Sequence, residues 1–134
     1  LVIDDSYNAN PASVRSSLEA VRELALARNA RLVLVLGEMR ELGACSSAEH
    51  AAVGREIGRS GAAVLVAIGG DARHLVEPAR AGGVDARFVA DIDAAVGQVP
   101  GCVSAGDVVL VKASRGLEAE RVVAALRQAR GAAA

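Results

Sequence analysis

The chain has 134 residues, enough for one domain that buries roughly two thirds of its unfolded surface, and its 52% apolar fraction is Ala, Val and Leu with only Tyr7 and Phe88 as aromatics. Fifteen Lys and Arg against sixteen Asp and Glu leave a net charge of −1, which provides no broad field for a polyanion and, with so few rings, no stacking platform for nucleic acid. Cys45 and Cys102 stand in no metal-type spacing, and the longest apolar runs, such as 62–70, fall far short of the ~20 residues that cross a bilayer; the expectation is a soluble protein with free thiols in a reducing cytoplasm, with neither a membrane nor a nucleic acid as partner.

The opening LVIDD reads as a strand already under way and carries no charged-then-apolar leader, so a piece of a longer chain without a visible signal peptide is expected. After the strand Leu1–Ile3, Asn10 followed by Pro11 supplies an N-cap and a first-turn proline. The helix that starts there carries the stripe Val14, Leu18, Val21 and Ala25. A second strand, Leu32–Leu36, leads into the loop GEMRELGACSS. Ser46 and Glu49 then have the spacing of a capping box, which predicts a helix to about Ser60 with Gly61 as its stop. A third strand, Ala63–Ile68, is followed by Gly69-Gly70-Asp71, where Asp71 can cap another helix. Arg87–Ala90 forms a fourth strand, and Ile92–Val99 a short helix ended by Pro100-Gly101. The fifth strand, Val108–Val111, precedes a last helix with Ser114 as its cap and Val122, Val123 and Leu126 on its apolar face, and the terminal GAAA is expected to fray.

Each aliphatic run is continuous rather than alternating, the pattern of strands buried on both faces. Strands that alternate with helices give an α/β fold: one domain over 1–134, a three-layer, Rossmann-like, doubly wound and mainly parallel sheet with helices on both faces. In such sheets ligands sit beyond the carboxyl ends of the strands, and the polar residues of this chain gather in those loops.

In Asp4-Asp5-Ser6-Tyr7-Asn8-Ala9-Asn10-Pro11 a carboxylate leaving a strand can accept from ribose hydroxyls, and the amides can serve a phosphate or base. Equally, Asp5 and Asn8 can make Asx turns and Asn10 can be only a cap. In Lys112-Ala113-Ser114-Arg115-Gly116 two cations and a hydroxyl stand beside free helix N–H groups, a good place for a carboxylate or phosphate; the plainer reading has Ser114 as a cap and the cations in water. Gly37 to Gly43 holds Glu38 and Glu41, expected to be solvated rather than acids or metal ligands, and His50 is expected at a surface or hinge-facing position. A P-loop is missing, because GREIGRS at 54–60 has Arg for Lys and one residue too few. Neither a G-x-G-x-x-G fingerprint, a Ser-His-Asp set nor a His/Cys metal cluster can be assembled.

DDSYNANPAS at 4–13, VLGEMRELG at 35–43, HAAVG at 50–54 and VLVKASRGLEAERVV at 109–123 occur in one order. By these landmarks the chain resembles, over nearly its whole length, the C-terminal domain of the Mur ligases. YNANP and KASR are similar to the branch that adds D-alanyl-D-alanine rather than to the relatives with Tyr-x-His-x-Pro and Lys-Gly-His-Glu segments. The chain departs from the pattern at Ala113, where glycine usually follows the lysine.

The resemblance implies ATP-dependent amide-bond formation in peptidoglycan precursor synthesis in the bacterial cytoplasm. The tripeptide carboxylate of the UDP-N-acetylmuramoyl precursor is phosphorylated, then attacked by the amine of D-alanyl-D-alanine, with release of ADP and phosphate. ATP and magnesium belong mainly to a central domain of the same polypeptide, which carries the P-loop, the magnesium ligands and a carboxylated lysine; no catalytic and no metal-binding residue is therefore expected in this chain. Its implied part is to close over the nucleotide and help bind the dipeptide. Asp5, Tyr7, Asn8 and Asn10 would line the nucleotide, while Lys112, Ser114 and Arg115 would face the dipeptide carboxylate or the phosphates. The protein is expected to be monomeric and, as this chain alone, inactive. Two other readings stay open: the matching domain of a folylpolyglutamate-type ligase, and a small nucleotide-binding regulatory module.

Overall fold

The computed structural model describes residues 1–133 of the chain. Five strands, β1 (Val2–Asp5), β2 (Leu32–Gly37), β3 (Val64–Ile68), β4 (Asp85–Val89) and β5 (Val108–Lys112), form one sheet in the order β1-β5-β2-β3-β4. Every pairing is parallel. Helices α1 (Pro11–Ala27), α2 (Ser46–Gly58) and α3 (Val76–Ala81) cover one face, and α4 (Ile92–Gln98) and α5 (Glu120–Ala133) the other. The side chains of β2, β3 and β5 divide by alternation between the two cores. Leu34, Leu65 and Leu110 meet α1, α2 and α3, whereas Val33, Val35, Val66, Val109 and Val111 meet α4 and α5. The expected doubly wound α/β fold is the one observed.

The chain moves outward from β2 to β4, then crosses beneath the second face to insert β5 between β1 and β2. Connections therefore leave the strands in opposite directions around β5, which makes its carboxyl end the topological switch point where an open α/β sheet opens a crevice.

The short-range signals performed unevenly. Asn10 caps α1 as its composition suggests: Oδ1 accepts from the Ser13 N–H at 2.9 Å, and the Ser13 hydroxyl answers the Asn10 N–H at 3.1 Å. The other expected caps are corrected. A 3₁₀ turn, Gly43–Cys45, precedes α2, so Ser46 lies inside the first turn and caps nothing. Asp71 sits within the 3₁₀ segment Gly70–Leu75 with no capping contact, and Ser114 precedes a 3₁₀ turn, Arg115–Leu117, rather than α5 itself. Instead, Asp91 caps α4 by accepting from the Ala94 N–H at 2.9 Å. The fourth strand begins at Asp85 and is an edge in which only Ala86 and Val89 are buried, so continuous burial belongs to β2, β3 and β5. Helix α5 extends through Ala133, and the expected fraying of Ala134 falls outside the described residues.

Candidate functional site

Three loops converge above the carboxyl ends of β1, β2 and β5. Their residues Tyr7, Asn8, Asn10, Arg40, Glu41, Ser114 and Arg115 line a cleft of about 390 Å³, and a smaller hollow of about 130 Å³ continues past Arg40 and Ser114 toward Gly69 and Gly70. The acidic-amide stretch after β1 and the cationic stretch after β5 thus share one rim. Tyr7 is 70% exposed, and the Arg115 guanidinium lies over its ring with Cζ 5.5 Å from the centroid, within cation–π range.

The amides of the cleft have a defined polarity. Asn8 Oδ1 accepts from the Ala9 N–H at 2.9 Å, and Asn10 Oδ1 is held by the helix cap. A backbone N–H can only donate, so each side-chain oxygen is turned to its own loop and the NH₂ groups remain for a ligand. Together with Arg40 and Arg115 they make the lining rich in donors, with Glu41 the one carboxylate among the described residues that line it. Such a surface suits an oxygen-rich anion.

Asp5 and Lys112 are not among the residues that line this cleft. They are Cα partners in the parallel register of β1 and β5 and point to the α1 side of the sheet. Lys112 Nζ donates to Asp5 Oδ2 at 2.6 Å, and the Ser17 hydroxyl donates to the same oxygen at 3.2 Å. Lys112 is 3% exposed, so the ammonium expected to meet an anion is instead held under the first turns of α1. Ser114 Oγ stands 3.5 Å from the Glu38 carbonyl oxygen, too far for much of a hydrogen bond, which leaves its hydroxyl able to turn to a ligand.

The loop after β2 departs most from expectation. Glu38 is half-buried rather than freely solvated: its Oε2 accepts from the Asp71 N–H at 2.6 Å, and the carboxylate fills the space where a side chain at Gly70, at φ +48°, would stand. His50 is fully buried rather than at a surface, and its Nε2 accepts from the Met39 N–H at 2.9 Å. Beside it, the Ser46 hydroxyl holds the Asp71 carboxyl below the usual carboxylate range, aided by His74 and Arg73. Arg40 is the cleft residue that the sequence did not single out; its place three residues beyond the end of β2, beside the switch point, was the available signal.

Gly37 explains how the β5 loop comes so close. A Cβ there would lie 2.8 Å from the Ala113 Cβ and 2.6 Å from Leu117 Cδ2, so glycine on β2 makes room for the alanine on β5. Ala113 is buried and does not adopt a left-handed backbone.

The sequence profile of the Mur ligase, glutamate ligase domain matches residues 1–115. The chain belongs to the Mur ligase family. UDP-N-acetylmuramoyl-tripeptide--D-alanyl-D-alanine ligase of Mycobacterium tuberculosis is 41% identical over 131 residues, covering 84% of this chain and 26% of the relative. The Escherichia coli ligase of the same name is 35% identical over 130 residues, covering 96% and 27%. The chain therefore spans about a quarter of the length of the relatives it matches. Among solved structures, MurF ligase from Thermotoga maritima in complex with ADP superposes with a TM-score of 0.73 at 27% identity over 99% of this chain and 29% of that one. MurF from Acinetobacter baumannii gives 0.79 at 29%, over 95% and 28%. This Mur ligase domain has no helix among its described residues long and apolar enough to cross a membrane, and the same residues hold no His, Cys, Asp and Glu group able to bind a metal ion. Both cysteines are free thiols.

Proposed function

We propose that this domain is the mobile closing domain of an ATP-dependent ligase that joins D-alanyl-D-alanine to UDP-N-acetylmuramoyl-tripeptide, acting in the bacterial cytoplasm as a monomer. The relatives of that name and the ADP complex of one neighbour support the reading. What carries it is the donor-rich cleft at the switch point, where three loops offer guanidinium and amide N–H groups to one ligand space. Arg115, Ser114 and Arg40 are suited to the dipeptide carboxylate or a nucleotide phosphate, and Tyr7, Asn8 and Asn10 to the ribose and base. The Asp5–Lys112 pair stands beneath them as support for the β1 loop rather than as a direct contact. ATP would supply the phosphoryl group that activates the acceptor carboxylate, and magnesium would be held by the rest of the longer polypeptide. A domain that contributes part of each subsite makes reaction depend on closure and keeps water from an acyl phosphate.

The test uses the longer protein supplied with ATP, magnesium, UDP-N-acetylmuramoyl-tripeptide and D-alanyl-D-alanine, beside the present chain alone. Phosphate release that depends on the dipeptide is expected from the longer protein and none from the chain alone. Turnover by this chain alone, or tight binding of an ATP analogue to it in calorimetry, would favour an autonomous nucleotide-binding module instead.

A further inference from the structure

Beyond the cleft itself, one buried group has chemistry that the reading above does not use. His50 lies in the second turn of α2, fully buried, yet both ring nitrogens are engaged. Nε2 accepts from the Met39 N–H at 2.9 Å, while Nδ1 lies 2.7 Å from the Ser46 carbonyl oxygen. A carbonyl only accepts and an amide N–H only donates, so the ring is the Nδ1–H tautomer with a lone pair on Nε2. The Met39 side chain is itself 2% exposed. One residue earlier, the Glu38 carboxylate is fixed by the Asp71 N–H from the segment after β3. One residue earlier still, Gly37 is packed against Ala113 and Leu117. Three consecutive positions are thereby tied to three different elements, and the next two, Arg40 and Glu41, are exposed along the cleft. Glu41 has φ +63°, a conformation that side chains other than glycine hold only where the surroundings require it.

We propose that His50 is a positioning residue, which, by accepting the Met39 N–H, sets the stance of the loop that carries Arg40 and Glu41 into the cleft. A buried apolar side chain would fill the same volume and leave that N–H without a partner, so packing alone does not account for an imidazole here. The loop needs this anchor because its backbone has left the β2 ladder and gains no strand partner beyond Gly37. The significance for ligand binding rests on the proposed role of the cleft; the anchoring itself does not.

Amide hydrogen exchange on this chain tests the anchor without any ligand. Met39 is expected to exchange slowly in the unaltered protein, and long-range nitrogen–proton NMR should show protonated Nδ1 and unprotonated Nε2 in His50. His50→Leu, which keeps volume and removes the acceptor, should speed Met39 exchange at least about tenfold, as the loss of a hydrogen bond of ordinary strength implies, with Arg40 and Glu41 following and Val66 and Val123 in the two cores changing less. His50→Gln, whose Oε1 can reach the Nε2 position, should restore most of the protection. Uniform acceleration in His50→Leu would reduce His50 to a core residue and overturn the proposal. So would fast Met39 exchange or the opposite tautomer in the unaltered chain, which decides the matter even if the leucine variant does not fold. Loss of local protection in a protein whose longer form shows no dipeptide-dependent turnover would uphold the anchor and reject the function proposed for the cleft.

Discussion

The two ends of the sheet make opposite use of the same residue types. At the amino ends of the strands, Asp107 is 4% exposed, and its carboxylate accepts from Arg31 Nε at 3.0 Å, Arg31 Nη2 at 2.8 Å and the Ser104 N–H at 2.8 Å. Three of the carboxylate's roughly four acceptor sites are taken by the protein, so this pair mainly closes a turn. Beside it lies a hollow of about 450 Å³ lined mainly by apolar groups, among them Leu1, Val2, Pro100, Val103 and Leu126. At the carboxyl ends the cleft is slightly smaller, about 390 Å³, yet Arg40, Arg115 and two amide NH₂ groups along it remain available. Volume does not separate the two ends; the polarity of the lining does. The comparison also ranks the ion pairs. Asp107 binds a half-exposed arginine, whereas Asp5 is the partner of a lysine that is 3% exposed.

That ranking predicts the largest effect. Asp5→Ala leaves the Lys112 ammonium buried without its carboxylate and should cost about 3 kcal/mol, read from the urea midpoint. Lys112→Met, which fills the same space without a charge, should cost less than about 1.5 kcal/mol, because the half-buried Asp5 side chain, 38% exposed, can hydrate. The double variant Asp5→Ala/Lys112→Met should be more stable than Asp5→Ala alone. Equal losses for the two single substitutions would show that the pair acts through its surface and not through a buried charge.

The pairing explains what the sequence could and could not disclose. Helix α1 was legible because its start is written locally, in Asn10, Pro11 and Ser13. The strands β2, β3 and β5 were legible because burial on both faces leaves an unbroken aliphatic run. The shared rim followed from strand direction alone. But Asp5 and Lys112 lie far apart in the chain and become neighbours only because β5 returns to lie beside β1; no local pattern records that insertion. His50 looked like a helix-surface residue for the same reason, since its partner is a backbone N–H of a loop placed by tertiary packing. Ser46, Asp71 and Ser114 have the composition of caps, but 3₁₀ turns occupy the places where α-helices would have used them.

At the amino-end rim a smaller loss is expected. Asp107→Ala removes acceptors from Arg31 and the Ser104 N–H, and because the arginine can turn to water the cost should be about 1–3 kcal/mol. The pH dependence sharpens the contrast. Burial pushes the Asp107 carboxyl upward, but the hydrogen bonds from Arg31 and Ser104 outweigh it and hold the pKa below the usual value. A carboxyl depressed in the folded state stabilises the fold above its unfolded pKa of about 3.9, and that contribution is lost as pH falls through the lower folded value. Urea midpoints of the unaltered chain should therefore fall more steeply below about pH 4 than those of Asp107→Asn. Parallel acid profiles would mean that Asp107 adds nothing to stability through its charge.

The smallest effect on stability is expected where the effect on binding should be greatest. Arg40 and Arg115 are exposed, and the Arg115 guanidinium rests over the Tyr7 ring. Replacing either by alanine should change the unfolding free energy by no more than about 0.5 kcal/mol, the ordinary range for exposed positions. If the cleft has the role proposed for it, the same substitutions in the longer protein would remove a charge-assisted hydrogen bond to the ligand, worth about 1.5–3 kcal/mol, and the KM for D-alanyl-D-alanine or for ATP should rise about tenfold to a hundredfold. Which of the two KM values moves with each variant would assign the guanidinium to the carboxylate or to the phosphates. A stable Arg115→Ala protein with both KM values unchanged would show that the donors at this rim serve no ligand, and the distinction between the two ends of the sheet would fail.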